Sequence, residues 1–219
     1  MITTTHTTAI TITTDSTMRT SLLSFVMLTL LSCTDADTRD QASQTSQASQ
    51  TSQTSQASQT SQATTGPVVN AGGPTYRVAN PTFETPMDRM YKAVFELRAP
   101  AGSPERPNQN LNTMARYLNM HARAGVPGEN VRVAGVVHGG ASLELLRDEY
   151  YQAAHGVDNP NKDLIAEIIA GGGQVILCGQ TAGSRGIDAG QLLPGVQLAL
   201  SAMTAMTVLQ QDGYQVILW

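Results

Sequence analysis

From Tyr91 onward the chain moves between two apolar rhythms. Tyr91–Arg98 (YKAVFELR) alternates apolar and polar residues, the period of a strand. After a Pro-rich loop, Ala99–Asn108, the residues Leu111, Met114, Ala115, Leu118 and Ala122 recur at helical spacing. Asn110 is placed to cap that helix and Gly125 to end it in the left-handed conformation. Val131–Val137 (VRVAGVV) is a near-continuous apolar run, as expected of a parallel strand buried on both faces. Helices are expected over Ser142–Ala154 and from Asn159-Pro160 to the Gly171–Gly173 stop, the latter with Leu164, Ile165, Ile168 and Ile169 along one side. Val175–Cys178 reads as a third strand, Gly179–Gly190 as a loop and Val196–Leu200 as a fourth strand. Ser201–Asp212 reads as a helix and Gln215–Trp219 as a fifth strand. Strands and helices alternating at these spacings imply right-handed crossovers, hence an α/β fold: a three-layer α/β/α sandwich around a parallel sheet.

The first third of the chain follows neither rhythm. Leu22–Leu31 (LLSFVMLTLL) is an apolar run of ten, too short for a bilayer span of about 20 residues and the right length for a signal-peptide core. Arg19 precedes it, and Met18 is an alternative start to Met1. From Gln41 the triplet Gln-Ala/Thr-Ser repeats seven times, ending at Ser61. With no apolar side chain larger than Ala it has nothing to set against chain entropy, so it reads as a disordered tether. Thr34–Gly66 would reach about 30 Å as a random coil. Pro67–Pro86 is a linker or an extended arm packed on the domain. The division expected is 1–33 for the export segment, 34–87 for tether and linker, and 88–219 for one folded domain.

Composition sharpens that division. Of 13 basic and 17 acidic groups, residues 1–65 hold only Arg19, Arg39, Asp15, Asp35, Asp37 and Asp40. The net charge of −4 is shared equally by the two parts, so no basic face is available and no nucleic-acid partner is expected. Two cysteines, Cys33 and Cys178, exclude a disulfide scaffold and a multi-cysteine zinc site. No metal and no cofactor is expected. Gly179, Gly183 and Gly186 do not have the dinucleotide spacing, no strand leads into a phosphate loop, and the turn Ala99–Pro104 lacks the hydroxyls a flavin phosphate wants. Met203 and Met206 read as core filler, and His121 and His155 as surface residues.

Ligands of open parallel sheets bind beyond the carboxyl ends of the strands. Arg98, His138 and Cys178 fall there. Amides of Gly179–Gly183 and the Arg185 guanidinium would form an electropositive nest that favours the Cys178 thiolate. Cys178 therefore reads either as a nucleophile or as an inert strand cysteine. His138 reads either as a base for Cys178 or as a polar group satisfied by its loop, and strand order decides whether the two meet. Asn159 reads as a helix cap.

Two resemblances bear on function. Leu30-Leu31-Ser32-Cys33 at the end of the apolar run resembles the lipobox of bacterial lipoproteins, which implies a lipid on Cys33, export, and a periplasmic or outer-membrane-anchored protein. An uncleaved anchor, or a cytoplasmic protein with a mis-assigned start, is the other reading. VVHGGA (Val136–Ala141), NPNKDLIAEI (Asn159–Ile168), VILCGQTAGSRGI (Val175–Ile187) and LLPGVQLALSAMTAMTVLQQDGY (Leu192–Tyr214) resemble the DsrE/DsrF-like family. That likeness covers residues from about 88 onward. It implies a five-stranded parallel sheet and a homo-oligomer, trimer or hexamer. It also implies a persulfide-accepting Cys178, with His138 and Arg185 as pocket neighbours and a protein or small sulfur compound as donor and acceptor. The alternative is a non-catalytic oligomeric binding module tethered to the cell envelope.

Overall fold

The computed structural model describes residues 62–218. The apolar run, Cys33 and the triplet repeat lie outside the described residues. Five strands, β1 (Tyr91–Leu97), β2 (Val131–Val137), β3 (Gln174–Cys178), β4 (Gln197–Ala199) and β5 (Gln215–Val216), form one parallel sheet in the order β4-β3-β2-β1-β5. The helices are α1 (Gln109–Ala124), α2 (Asp148–His155), α3 (Lys162–Ala170), α4 (Gly179–Arg185) and α5 (Ala202–Gln211). The fold is the expected α/β architecture.

Handedness explains why the two faces are unequal. From β1 to β4 the chain steps in one direction across the sheet, so its right-handed crossovers all place helices on one face. There Leu111 and Met114 of α1, Leu164, Ile165 and Ile168 of α3 and Ala182 of α4 pack on Phe95, Leu97, Val133, Val137 and Leu177. The β4-to-β5 connection runs back across the sheet and puts α5 alone on the other face, where Ala205, Leu209 and Tyr214 meet Val94, Ala134, Val136 and Ile176.

Several local expectations are corrected. Helix α1 is capped by Asn108, not Asn110: its side-chain oxygen accepts the N–H groups of Asn110 and Leu111 at 2.8 and 3.4 Å. Gly125 ends the helix at φ 91° as expected. The helix expected over Ser142–Ala154 is split into a 3-10 segment, Gly139–Leu145, and α2. The break lies where Leu146 bridges Leu192, with Leu193 N–H donating to Leu145 C=O and Arg147 N–H to Gln191 C=O. Buried Asn159 ties this break to α3. Its amide donates to the Glu144 and Leu146 carbonyls, and its oxygen accepts the Asn161 N–H. The loop expected at Gly179–Gly190 begins with α4. Its glycines cost helix propensity, which burial of Ala182 and Ile187 and a left-handed Gly186 end (φ 65°) offset. Strands four and five are shorter than the runs Val196–Leu200 and Gln215–Trp219 suggested.

Residues 64–75, placed in a tether and linker by composition, are a strap fastened to the domain. Thr64 and Thr75 close it as an antiparallel bridge, and Val69 is fully buried. Asn119 of α1, itself fully buried, accepts the N–H groups of Val68 (3.0 Å) and Val69 (2.8 Å) and donates to the carbonyls of Val69, Gly72 and Gly73. Arg123 donates to the Thr65 and Gly66 carbonyls, and Glu167 accepts the Asn70 and Ala71 N–H groups. Gly73 (φ 66°) lies so close to α1 that a Cβ there would sit 2.4 Å from the backbone of Ala115 and Arg116. Of the two readings of Pro67–Pro86, the packed arm is the one found for its first part.

Candidate functional site

Strand alternation puts three polar side chains on one face near the carboxyl edge of the sheet, with Glu96, the register partner of Val136, one level behind His138 and Cys178. Val94, Val136 and Ile176 face α5, so the residues two further on, Glu96, His138 and Cys178, face the same way. His138 keeps an extended backbone (φ −152°, ψ −178°), which carries the alternation past the end of β2. Val137 and Leu177 are paired in the register of β2 and β3, so His138 and Cys178 follow each other's level on neighbouring strands. The strand order thus brings them side by side, about 5 Å apart at the backbone by sheet spacing. The His138 ring turns to β1: Nε2 lies 2.7 Å from Glu96 Oε1. No hydrogen bond joins His138 to Cys178.

Cys178 is 6% exposed and unpaired. Two helix starts converge on it: it precedes α4, and its strand partner Ala199 leads through Ser201, which caps α5, into Ala202. Burial pushes the thiol pKa up. The Thr181 N–H and hydroxyl and the N–H groups of Ala202 and Gln180 together outweigh burial and hold it below the ordinary thiol value. These donors act at a distance, because Sγ closes no hydrogen-bonded cap on α4. Close packing is enforced by Gly179, where a Cβ would sit 2.4 Å from the Ala199 carbonyl oxygen. Thr181 also accepts the Gly139 N–H at 3.4 Å, linking the turn after His138 to the sulfur's surroundings. Thr181→Val removes the hydroxyl's share. The Cys178 pKa should rise, the alkylation rate–pH curve should move to higher pH, and the neutral-pH rate should fall on the order of a few-fold.

Part of the nest the sequence suggested lies at the sulfur and part does not. The amides that favour the thiolate are those of Gln180 and Thr181, inside the suggested Gly179–Gly183 stretch, and of Ala202 outside it, while Gly183 is exposed in the body of α4. Arg185 is exposed in the last turn of α4, about 10 Å along its axis from Cys178. Arg98 is exposed, and its backbone oxygen accepts the Ala141 N–H. His121 is not a surface residue. It is buried, its ring against Tyr91 and Tyr117, with Nδ1 2.8 Å from the Tyr117 carbonyl. His155 is half-buried against Tyr151, and Met203 is 78% exposed rather than core filler. Among the described residues no three His, Cys, Asp or Glu side chains gather as a metal site requires. Two surface clefts, lined by Arg147, Lys162 and Leu193 and by Phe83, Tyr91 and His121, do not include Cys178. Glu96, the Thr181 hydroxyl and Ala202 are not among the sequence-based candidates. For Glu96 the signal was there, a charged residue in the same phase of the alternation as Val94, next to the last residue of β1.

The sequence profile of the DsrE/DsrF-like family matches residues 91–219, from the first residue of β1 onward. The chain belongs to the DsrE/DsrF-like family. Two solved structures are similar to this DsrE/DsrF-like protein. MTH1491, a protein of unknown function from Methanobacterium thermoautotrophicum, aligns at 20% identity over 58% of this chain and 97% of its own, with a TM-score of 0.42. The ychN protein from E. coli aligns at 18% identity over 59% of this chain and 98% of its own, with a TM-score of 0.43. No curated protein matches. Cys178, His138 and Glu96 fall inside the matched DsrE/DsrF-like region, and the strap precedes it.

Proposed function

We propose that this DsrE/DsrF-like protein carries sulfur as a persulfide on Cys178. The observation that carries this reading is the thiol itself. It is free, it stands at the carboxyl end of β3, and the donors around it favour the nucleophilic thiolate despite burial. The Cys178 thiolate attacks the outer sulfur of a persulfide donor, R–S–SH. A new S–S bond forms on Cys178, the donor's S–S bond breaks, and R–S⁻ leaves. Cys178–S–SH then yields its outer sulfur to an acceptor thiol by the same exchange. The test is to treat the protein with an alkyl persulfide and weigh it intact. A gain of one sulfur, removed by a thiol reductant, supports the reading, and an unchanged mass overturns it.

One observation favours a binding module instead: Cys178 is covered. A thiol alkylated no faster than free cysteine at neutral pH selects that second reading.

The same proposal includes self-association. Leu200, Met203, Val208, Val216 and Leu218 are 37–86% exposed, and all belong to or adjoin α5 and β5, on the thinly covered side of the fold. Exposed apolar surface of this kind supports a homo-oligomeric contact. Light scattering is expected to give a trimer or hexamer, and Leu200→Glu with Met203→Glu to lower the mass toward the monomer. The run Leu22–Leu31 with Cys33 supports export and lipid attachment as the setting in which the domain works.

A further inference from the structure

Resting on the persulfide reading, we infer that Glu96 is a positioning residue for His138, and that the pair moves the thiol proton of Cys178 to the sulfur leaving the donor. Glu96, His138 and Cys178 stand on one face of three adjacent strands, β1, β2 and β3, with His138 level with Cys178 and its ring reaching diagonally to Glu96. Exposure falls from a 55% exposed Glu96 side chain through 23% for His138 to 6% for Cys178. A covered thiol thus has a half-buried imidazole on the neighbouring strand, and that imidazole contacts an exposed carboxylate.

The chemistry follows from which atoms are engaged. A carboxylate only accepts hydrogen bonds, so the 2.7 Å contact places a proton on His138 Nε2. In the neutral ring Nδ1 is then the lone-pair nitrogen, the one able to take a proton. His138 contributes its backbone N–H to the Leu97 carbonyl, which fixes its place on the strand edge beside Cys178. The steps balance without an added oxidant or reductant. Nδ1 accepts the thiol proton, and the Cys178 sulfur attacks R–S–SH. The donor's S–S bond breaks, and R–S⁻ takes the proton back from Nδ1. The sum is Cys178–SH + R–S–SH → Cys178–S–SH + R–SH. Glu96 touches none of the reacting atoms. It selects the tautomer and holds the ring in the charged intermediate, the role a carboxylate plays behind a catalytic imidazole.

The test compares wild type, Glu96→Gln, Glu96→Asp, His138→Asn and the Glu96→Gln/His138→Asn double variant. Ring-nitrogen NMR, assigned by the signal lost in His138→Asn, should show the Nε2–H tautomer in wild type and a mixture in Glu96→Gln. Sulfur gain from an alkyl persulfide should slow at least about 10-fold in Glu96→Gln and in His138→Asn, with little further loss in the double variant and partial recovery in Glu96→Asp. Alkylation by iodoacetamide needs the thiol proton removed but no proton on its leaving group, so it should slow less than sulfur gain in the same variants. Glu96 is half-exposed, so glutamine leaves no cavity behind. Wild-type loading rates in Glu96→Gln, or an unchanged tautomer, overturn this inference and leave the persulfide reading standing. Absence of any sulfur gain in wild type overturns both.

Discussion

Cys178→Ser is expected to abolish sulfur loading, by at least about 100-fold, with the fold intact. Serine matches cysteine in shape, and its hydroxyl meets the same donors: the Thr181, Gln180 and Ala202 N–H groups and the Thr181 hydroxyl. Those donors stabilise a thiolate because they lower the thiol pKa and so raise the fraction ionised at a given pH. The serine hydroxyl stays protonated and is a weak nucleophile unless a base activates it. A persulfide also needs a sulfur at the accepting position. The measurement is intact mass after exposure to an alkyl persulfide, beside a thermal melt that should be nearly unchanged. A variant that still gains sulfur shows that the sulfur sits elsewhere. Because the folded-state thiol pKa is lowered, the fall in loading with decreasing pH should lie at lower pH than for an ordinary cysteine thiol.

Asn119→Leu is expected to be the most damaging single change in the described residues that leaves the site's own side chains in place. The leucine is similar in volume, so no cavity opens. It strands two N–H donors, on Val68 and Val69, and the carbonyls of Val69, Gly72 and Gly73 at a position with no exposure. Unsatisfied buried polar groups cost about 1–3 kcal/mol each, and part is recovered as the strap lifts into water. A loss of roughly 2–4 kcal/mol is expected, a drop in Tm of about 5–15 °C for a domain of this size. Hydrogen exchange separates the cause from a general loosening. The Val68 and Val69 amides should lose protection first, ahead of those of β2. A chain beginning at Asp88, where composition placed the domain boundary, should fare worse still, because it also removes fully buried Val69. A melt unchanged by either alteration shows the strap to be ornament.

The strands were legible because their burial is two-sided. Val131–Val137 is apolar at nearly every position, since helices lie on both faces of β2, and its bounds match the run. Helix α3 announced itself through Leu164, Ile165 and Ile168, all buried. The strap was hidden because its burial is carried by backbone. Only Val69 gives it a large buried side chain, and the rest is hydrogen bonding to Asn119, Asn112, Arg123 and Glu167, which composition does not register. Helix α4 was hidden because its glycines look like a loop. The break in the helix expected over Ser142–Ala154 comes from a pairing with Leu192, distant in sequence.

At the site the same line divides local from distant information. Cys178 at a strand end followed by Gly179, and His138 at another strand end, are statements about neighbours along the chain, and periodicity alone determined them. The sequence likewise determined the α/β class, because alternating strand and helix rhythms leave a parallel sheet as the outcome. Which residues meet was decided by the sheet order β4-β3-β2-β1-β5, a product of long-range packing. That order set β2 between β1 and β3, gathered Glu96, His138 and Cys178 on one face, and brought the start of α5 to the sulfur. It also carried Arg185 away along α4. The physical reason is that a side chain's direction follows from its own strand's alternation, whereas its partner depends on which strand the rest of the chain chooses to lay beside it.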